Sequence, residues 1–177
     1  MKIIAVRHGE TIHNKKRRVM GSRIDSPLTE EGRREAEEQV ERIRKEEPTA
    51  LYSSPLTRAL QTAEILSKAL DLPITIRDGL KERDVGSLSG ATYTEMAKKA
   101  GLKNPEEIPY DFTPFGGESS EEVAQRVTKF LNYVHEKHSA DPAILVITHA
   151  HIIRMLYQIY KQEATDVSNV CVHPFEV

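Results

Sequence analysis

The stretch IIAVRHGET, residues 3–11, joins an apolar run to an arginine and a histidine. A second apolar run, residues 144–147, leads in the same way into Thr148 and His149. Neither run alternates with polar residues and both are rich in β-branched side chains, which is typical of central parallel strands covered on both faces. The sequence therefore predicts two buried strands, each of which leads into a histidine.

Strand and helix patterns alternate along the rest of the chain. The elements predicted from periodicity and capping residues are, in chain order, a helix from Thr29 to about Glu46, a strand over 50–53, a helix that begins at Ser54-Pro55, a weaker strand over 74–77, a helix capped by Ser119, a helix from Ile152 to about Tyr160, and a weak strand over 170–172. This order predicts an α/β fold with a mostly parallel sheet, whose ligands bind at the carboxyl ends of the strands. Because no linker-like or low-complexity tract interrupts the pattern, residues 1–177 are expected to form a single domain.

Composition and charge exclude several classes of partner. The 177 residues carry a formal net charge of −2, and the sequence pI is about 6.4. No whole-protein field therefore attracts nucleic acid or an anionic membrane. The only cysteine, Cys171, excludes an internal disulfide and a cysteine-built metal site. The chain contains no apolar stretch of transmembrane length and no signal-peptide layout, so we expect a cytoplasmic location.

Basic and imidazole side chains cluster at the predicted strand ends. Beside His8, whose neutral ring nitrogen could attack phosphorus, the guanidinium of Arg7 could hold two phosphoryl oxygens. Arg58 lies in the first turn of a predicted helix, and helix N-termini attract anions. His149 and His151, two residues apart after the second strand, could instead ligate a metal, so a zinc site is an open alternative.

Seven sequence blocks together resemble the histidine phosphatase superfamily, and more narrowly its phosphoglycerate mutase-like branch. The blocks are Arg7-His8-Gly9-Glu10-Thr11, Asn14, Asp25-Ser26-Pro27-Leu28-Thr29-x-x-Gly32, Ser54-Pro55-Leu56-x-Arg58-Ala59-x-Gln61-Thr62-Ala63, Leu80-x-Glu82, Gly116-Gly117-Glu118-Ser119 and Thr148-His149. They span nearly the whole chain in the order that the family has them. The resemblance implies a three-layer α/β/α fold with a mostly parallel central sheet.

The resemblance also implies a role for each matching residue. His8 would be the nucleophile that forms a phosphohistidine, and Glu82 would be the general acid and base. The residues expected around the phosphoryl group or substrate are Arg7, Arg58 and His149, with Thr11, Asn14, Gly21 and Ala150 as substrate contacts. No cofactor and no metal is implied. Met20 stands where phosphatase members often have glutamine, and Ala150 where a glycine commonly follows the second histidine.

Hydrolysis of a small-molecule phosphate monoester is the expected reaction. Mutases of the family carry a long insertion with basic residues between the acid and the second histidine, whereas only a short segment separates Glu82 from His149 here. The alternatives are mutase-type phosphoryl transfer, a metal-dependent hydrolase built on His8, His149 and His151, and a non-catalytic module that binds phosphorylated ligands.

The protonation states that this chemistry requires give two further expectations. His8 should donate from one ring nitrogen, to a backbone carbonyl for example, so that Nε2 is free to attack. Glu82 should have a pKa raised by burial or by the negative charge of the substrate.

Two segments have more than one interpretation. The basic run over 15–18, with Arg23 nearby, could hold a second phosphate or an acidic substrate tail, or could be a solvated surface. The irregular segment over 104–117, which carries Tyr110, Phe112 and Phe115, could be a lid or a crossover connection.

Overall fold

Five strands form the central sheet of the computed structural model, which describes residues 1–104, 107–109 and 111–176. The strands are β1 Lys2–Arg7, β2 Pro48–Ser53, β3 Ile74–Ile76, β4 Ala143–Thr148 and β5 Val172–Glu176. Their order across the sheet is β3-β2-β4-β1-β5. All neighbours are parallel except β5, which runs antiparallel to β1. The prediction of a mostly parallel sheet is confirmed.

Helices and short 3₁₀ turns connect the strands. The helices are α1 Ile12–Lys15, α2 Glu30–Glu38, α3 Val40–Arg44, α4 Thr57–Leu70, α5 Tyr93–Lys99, α6 Ser120–His138 and α7 Ala150–Ile159. The 3₁₀ turns are Asp78–Leu80, Gly86–Leu88 and Thr113–Phe115. Over the described residues, no helix is both long and apolar enough to cross a bilayer.

Alternate residues of β1 face two different layers of helices. Ile3 and Ala5 pack in a cluster with α6 and α7, whereas Ile4 and Val6 pack in a second cluster with α3 and α4. All four side chains are fully buried. Each buried aliphatic side chain of this size stabilises the fold by roughly 1.5–3 kcal/mol. This two-sided burial explains the unbroken apolar run and confirms the predicted three-layer α/β/α architecture.

Two predicted helix boundaries were wrong. The helix predicted from Thr29 to Glu46 is divided at Gln39 into α2 and α3, although Thr29 does cap its start by accepting from the Gly32 N–H. The helix predicted from Ser54 begins at Thr57, because its first N–H donates to Asp25 Oδ2 at 2.8 Å. That capping carboxylate comes from a loop far away in sequence, so local capping rules do not find it.

The last strand was predicted at residues 170–172 but is observed at Val172–Glu176. Pro174 lies within it, opposite Ile4 of β1. A proline is tolerated on an edge strand because its missing N–H faces away from the sheet. Because proline is rare in strands, the sequence pattern did not predict β5 over its full length. The strand tolerates Pro174 because it lies at the edge of the sheet.

The segment predicted as a lid or crossover contributes to a third, smaller core. Phe112 is fully buried and packs with Val19, Val85, Leu88 and Met96. Asp111 pairs with Ser119 in an isolated antiparallel bridge. Tyr110, which the sequence singled out, lies outside the described residues.

Candidate active site

The register of the two central strands brings two histidines together. Arg7 of β1 is paired with Thr148 of β4, so His8 and His149, which follow them, leave the sheet side by side. The His8 backbone N–H donates to the Thr148 carbonyl at 3.0 Å, and the two ring centroids are 5.2 Å apart. The site thus lies at the carboxyl ends of the central parallel strands, as the sequence predicts.

His8 is held in one tautomer. Its Nδ1 lies 2.8 Å from the Gly9 carbonyl oxygen, which can only accept, so Nδ1 carries the proton and Nε2 has a free lone pair. The expected hydrogen bond to a carbonyl is thereby observed. Burial lowers the pKa of His8 well below its usual range, and the charges of Arg58 and Arg7 lower it further. The ring is therefore neutral near pH 7, as a nucleophile must be.

Gly9 has no room for a side chain. A Cβ at this position would overlap the carbonyl oxygen of Gly32, at the start of α2. The Gly9 N–H also donates to Thr62 of α4 at 3.1 Å. The loop that follows His8 is therefore packed between two helices.

The guanidinium groups of Arg7 and Arg58 provide buried hydrogen-bond donors at this site. Arg58 is 1% exposed, and it donates to the carbonyls of Ile24 and Gly21 at 2.9 and 2.8 Å. Arg7 donates to the Val167 carbonyl at 2.7 Å. Burial lowers the pKa of each guanidinium, although arginine starts so far above neutrality that both stay charged. Each Nε is buried and has no hydrogen-bond partner among the described residues, which costs about 1–3 kcal/mol unless a ligand accepts the bond.

His149 is fully buried behind His8. Its Nε2 lies 2.8 Å from the Ser54 hydroxyl, and its Nδ1 is buried without a partner. Burial lowers the pKa of His149 well below its usual range, with Arg58 as the next largest cause. The ring is neutral near pH 7, and its unpartnered Nδ1 is a third group available to an anion.

Among the described residues, Glu82 is the one carboxylate that lines the same cavity. It is 8% exposed, its Oε1 accepts from the Arg83 N–H at 2.9 Å, and His151 Nδ1 lies 3.2 Å from the same oxygen. Burial raises the pKa of this carboxyl, but His151, His149 and the Arg83 N–H outweigh burial and hold the pKa well below its usual range. Burial therefore does not keep this pKa above its usual range in the unliganded protein, and the other expected cause, the negative charge of the substrate, stays a prediction.

Arg7, His8, Arg58 and Glu82 line a cavity of about 150 Å³, whereas His149 is fully buried and is not among the lining residues. Its lining residues are Arg7, His8, Asn14, Arg18, Val19, Met20, Gly21, Arg58, Glu82, Tyr93, Ile108, Ala150, His151 and Arg154. Four arginines and one carboxylate give it a net positive lining, which suits a small multiply charged anion.

The sequence matches the histidine phosphatase superfamily (branch 1) over residues 3–174. The chain belongs to this superfamily. The family was predicted from the seven blocks of sequence, and that prediction is confirmed.

Several relatives of the superfamily resemble the chain over most of its length. A metal-independent phosphoserine phosphatase from Arabidopsis thaliana is 39% identical over 164 residues, which cover 88% of this chain and 66% of the relative. A phosphoglycerate mutase from Bacillus anthracis str. Sterne superposes with a TM-score of 0.86 at 25% identity, over 98% of this chain and 86% of that chain. A phosphoserine phosphatase from Entamoeba histolytica, in complex with 3-phosphoglyceric acid, superposes with a TM-score of 0.80 at 26% identity, over 99% and 90%. Both the fold and the phosphatase class of hydrolase were correctly predicted.

Most residues that the superfamily resemblance singled out lie at the cavity. Arg7, His8, Asn14, Gly21, Arg58, Glu82 and Ala150 line it. Thr11 does not, because its hydroxyl caps α1 and donates to Asn14 Oδ1 at 2.8 Å, and its side chain is fully buried. The substrate contact expected from Thr11 stays a prediction, and in this structure the Thr11 side chain holds Asn14 in place.

Seven lining residues were not among the site residues predicted from sequence: Arg18, Val19, Met20, Tyr93, Ile108, His151 and Arg154. Arg18 belongs to the basic run over 15–18 and is the member of that run that reaches the cavity. Arg154 lies one turn after Ala150 on α7, a spacing that could have revealed it. Tyr93 comes from α5, a helix that the sequence patterns did not predict, and Ile108 comes from the irregular segment over 104–117.

The histidines do not form a metal site. No group of three or more His, Cys, Asp or Glu side chains in the described part of the chain is placed to hold a metal ion. His149 uses Nε2 on Ser54, and His8 uses Nδ1 on Gly9. The alternative of a metal ion on His8, His149 and His151 thus lacks a ligand set.

Proposed function

We propose that this member of the superfamily hydrolyses small phosphate monoesters through a phosphohistidine on His8. The observation that carries the proposal is the fixed tautomer of His8 at the edge of a cavity with buried, unpartnered arginine donors. Phosphoryl transfer requires positioning and charge stabilisation above all, and these groups supply both.

In the first half-reaction His8 Nε2 attacks phosphorus and the ester P–O bond breaks. The Nε groups of Arg7 and Arg58 and Nδ1 of His149 would take the phosphoryl oxygens, because each is buried and unpartnered. Donors placed in advance for the transition state accelerate such steps by about 10²–10³-fold each. The bound phosphoryl group would thereby accept hydrogen bonds from nitrogen atoms that have no partner among the described residues.

Glu82 would serve as general acid toward the leaving oxygen and then as general base toward water. The two negative charges of the substrate phosphate would raise its pKa from the low value of the free site. A positioned acid–base group of this kind contributes about 10²–10⁴-fold.

The positions in the sequence of the arginines that line the cavity favour hydrolysis over mutase transfer. All four arginines of the cavity come from residues before Glu82 or after His149, and no lysine or arginine among the described residues between them lines it. The short segment that the sequence singled out therefore brings no basic side chains to hold a released phosphorylated intermediate.

The substrate that fits best carries a second anionic group. Arg18 and Arg154 lie at the same cavity as the phosphate-binding arginines but are exposed. Two relatives are named for phosphoserine, and one is in complex with 3-phosphoglyceric acid; both compounds carry a carboxylate. We therefore propose a small phosphate ester with a carboxylate or second phosphate, with no metal cofactor, in line with the name of the Arabidopsis relative.

The decisive assay compares p-nitrophenyl phosphate hydrolysis by the wild type, His8→Ala and the exposed control His135→Ala, each with and without EDTA. We expect EDTA-resistant turnover in the wild type and control and none in His8→Ala. Turnover that survives His8→Ala would remove His8 as nucleophile, and activity that requires added metal would contradict the proposal. Conversion between 2- and 3-phosphoglycerate faster than phosphate release would favour the mutase alternative.

We propose further that residues 1–177 act as one domain and that the protein works in the cytoplasm. Fractionation of cells and comparison of phosphatase activity between fractions would test the location.

A further inference from the structure

His151 occupies the first turn of α7, next to the proposed acid. Its Nδ1 lies 3.2 Å from Glu82 Oε1, and its side chain is 17% exposed and lines the cavity. The ring of Phe112 packs against it edge-on, with centroids 6.2 Å apart and planes at 90°. The fully buried Phe112 therefore helps to fix the orientation of the imidazole toward Glu82.

No structural hydrogen bond occupies this imidazole. Both ring nitrogens are buried, and neither makes an aligned hydrogen bond to a described residue, even though Nδ1 is close to Glu82. Catalytic hydrogen bonds in unliganded enzymes are often misaligned in this way and tighten when substrate binds. A role for His151 in packing alone would leave this proximity to the acid unexplained.

We propose that Glu82 and His151 share one proton and that His151 supplies it to Glu82, and takes it back, in each catalytic cycle. The proposal rests on the phosphatase function proposed above. His151 acts through Glu82, so it is a positioning and proton-storing residue. A carboxylate beside an imidazolium is neutral overall, which makes the pair less costly to bury than either charge alone.

The first half-reaction consumes the shared proton. His8 Nε2 forms a bond to phosphorus, the ester P–O bond breaks, and the leaving oxygen takes the carboxyl proton of Glu82. His151 then holds no extra proton and Glu82 is a carboxylate, so the pair has lost one positive charge and the alcohol product has gained the proton. No other donor is needed, which resolves how a carboxyl with a low pKa in the free site can act as an acid.

The second half-reaction restores the proton that Glu82 and His151 share. Water attacks phosphorus, the N–P bond to His8 breaks, and the proton released by water returns to the pair through Glu82. Inorganic phosphate leaves as the dianion, and His8 regains its neutral, Nδ1-protonated form. Atoms and charges therefore balance over the cycle with the chain's own residues and water.

Other charged groups around the pair affect when its proton leaves. The titratable and charged groups that share the two cavities lined by His151 are Arg7 and His8 of the β1 edge, Arg18, Arg58 of α4, Glu82 and Arg83 of the loop after β3, Tyr93 of α5, and Arg154 of α7. His149 also acts on Glu82 from the end of β4. Most of these charges are positive and favour loss of the proton, so the pair depends on its own mutual attraction to keep it.

The test is a pH–rate profile of His151→Asn, which keeps a polar group near the position of Nδ1 but cannot store a proton. His151→Gln is a second variant, and His135→Asn on the exposed face of α6 is the matched control. We expect the alkaline limb of kcat to move to lower pH by about one unit or more, because Glu82 must then carry the proton alone. At pH 7.5 kcat should fall by about 10–100-fold for an alkyl phosphate but by less than about 3-fold for p-nitrophenyl phosphate, whose leaving group needs no acid.

An alkaline limb that stays at the wild-type position in a folded His151→Asn or His151→Gln protein would overturn the proposal. So would an equal loss of kcat for both substrates. These outcomes differ from failure of the proposed function, in which the wild type itself shows no turnover that depends on His8. Circular dichroism and thermal unfolding of each variant identify the folded proteins to be compared.

Discussion

Arg126 of α6 donates two parallel hydrogen bonds to the carboxylate of Glu118, from Nε to Oε1 at 2.9 Å and from Nη2 to Oε2 at 3.0 Å. The same guanidinium donates from Nη1 to the carbonyls of Gly79 and Lys81, at 2.8 and 2.7 Å. Glu118 in turn accepts from the Asp84 N–H at 2.8 Å. The ion pair therefore acts as a brace for the loop that carries Glu82: Arg126 holds the backbone before Glu82, and Glu118 holds the backbone after it.

Arg126→Lys should weaken this brace, because an ammonium cannot reproduce the forked geometry. We expect kcat to fall about tenfold with little change in KM, and the free energy of unfolding to fall by about 1–2 kcal/mol. Steady-state kinetics and urea unfolding would measure the two effects. Lys129→Arg, on the exposed side of the same helix, is the control; a loss of the same size there would argue against a specific brace.

Glu82→Gln tests the acid. We expect kcat for an alkyl phosphate to fall by about 10²–10⁴-fold, because the amide cannot give a proton to the leaving oxygen. The loss should be much smaller for p-nitrophenyl phosphate. If both substrates lost activity equally, the role of Glu82 would be structural or electrostatic and not that of an acid.

Arg154→Gln tests the second anionic group of the substrate. We expect KM for phosphoserine or 3-phosphoglycerate to rise about tenfold, which corresponds to roughly 1.4 kcal/mol of lost binding. KM for p-nitrophenyl phosphate, which has no carboxylate, should change less than about twofold by the same conversion. A parallel rise for both substrates would mean that Arg154 contributes only general positive charge. Lys161→Gln, exposed beyond the end of α7, is the control.

Stability should fall as the pH is lowered from 7.5 to 5.5. Burial lowers the pKa of His8, His149 and His173 in the folded protein. Over this pH range the unfolded chain therefore binds more protons at these histidines than the folded chain does. The stabilisation is present above the unfolded value near 6.5 and is lost as the pH falls below it. Glu82, with its lowered pKa, adds the same trend only below about pH 4.5.

Urea midpoints measured across this range check the sign of the effect. His8→Asn should flatten the curve, because one buried neutral imidazole is gone, whereas the exposed His135→Asn should leave the slope unchanged. A midpoint that rises toward pH 5.5 would contradict the pKa directions of the buried histidines.

Local patterns were sufficient for the centre of the fold and for the proposed nucleophile. β1 and β4 are buried on both faces, so their side chains leave an unbroken apolar signal, and the histidines follow directly. Patterns failed where a distant contact decides the structure. Asp25 sets the start of α4, and an edge position permits Pro174 in β5.

The walls of the cavity were harder to predict for the same reason. Tyr93 reaches the site through the placement of the short helix α5, which depends on packing. The low pKa of Glu82 depends on His151, and no sequence pattern joins the two. Matching motifs locate the reacting groups, whereas their proton affinities follow from three-dimensional neighbours.

The position of β1 has a consequence for biosynthesis. Lys2, at its start, pairs with Ala143 on one side and Glu176 on the other, so β1 receives both of its neighbours only after β2 and β3 have been made. Until β4 has been made, β1 has no partner and its apolar side chains remain available to chaperones or to other nascent chains. Contacts of such high sequence separation also slow folding. His8 therefore becomes a positioned group only after β4 has been made, and a product truncated before β4 would lack the proposed nucleophile in its working position.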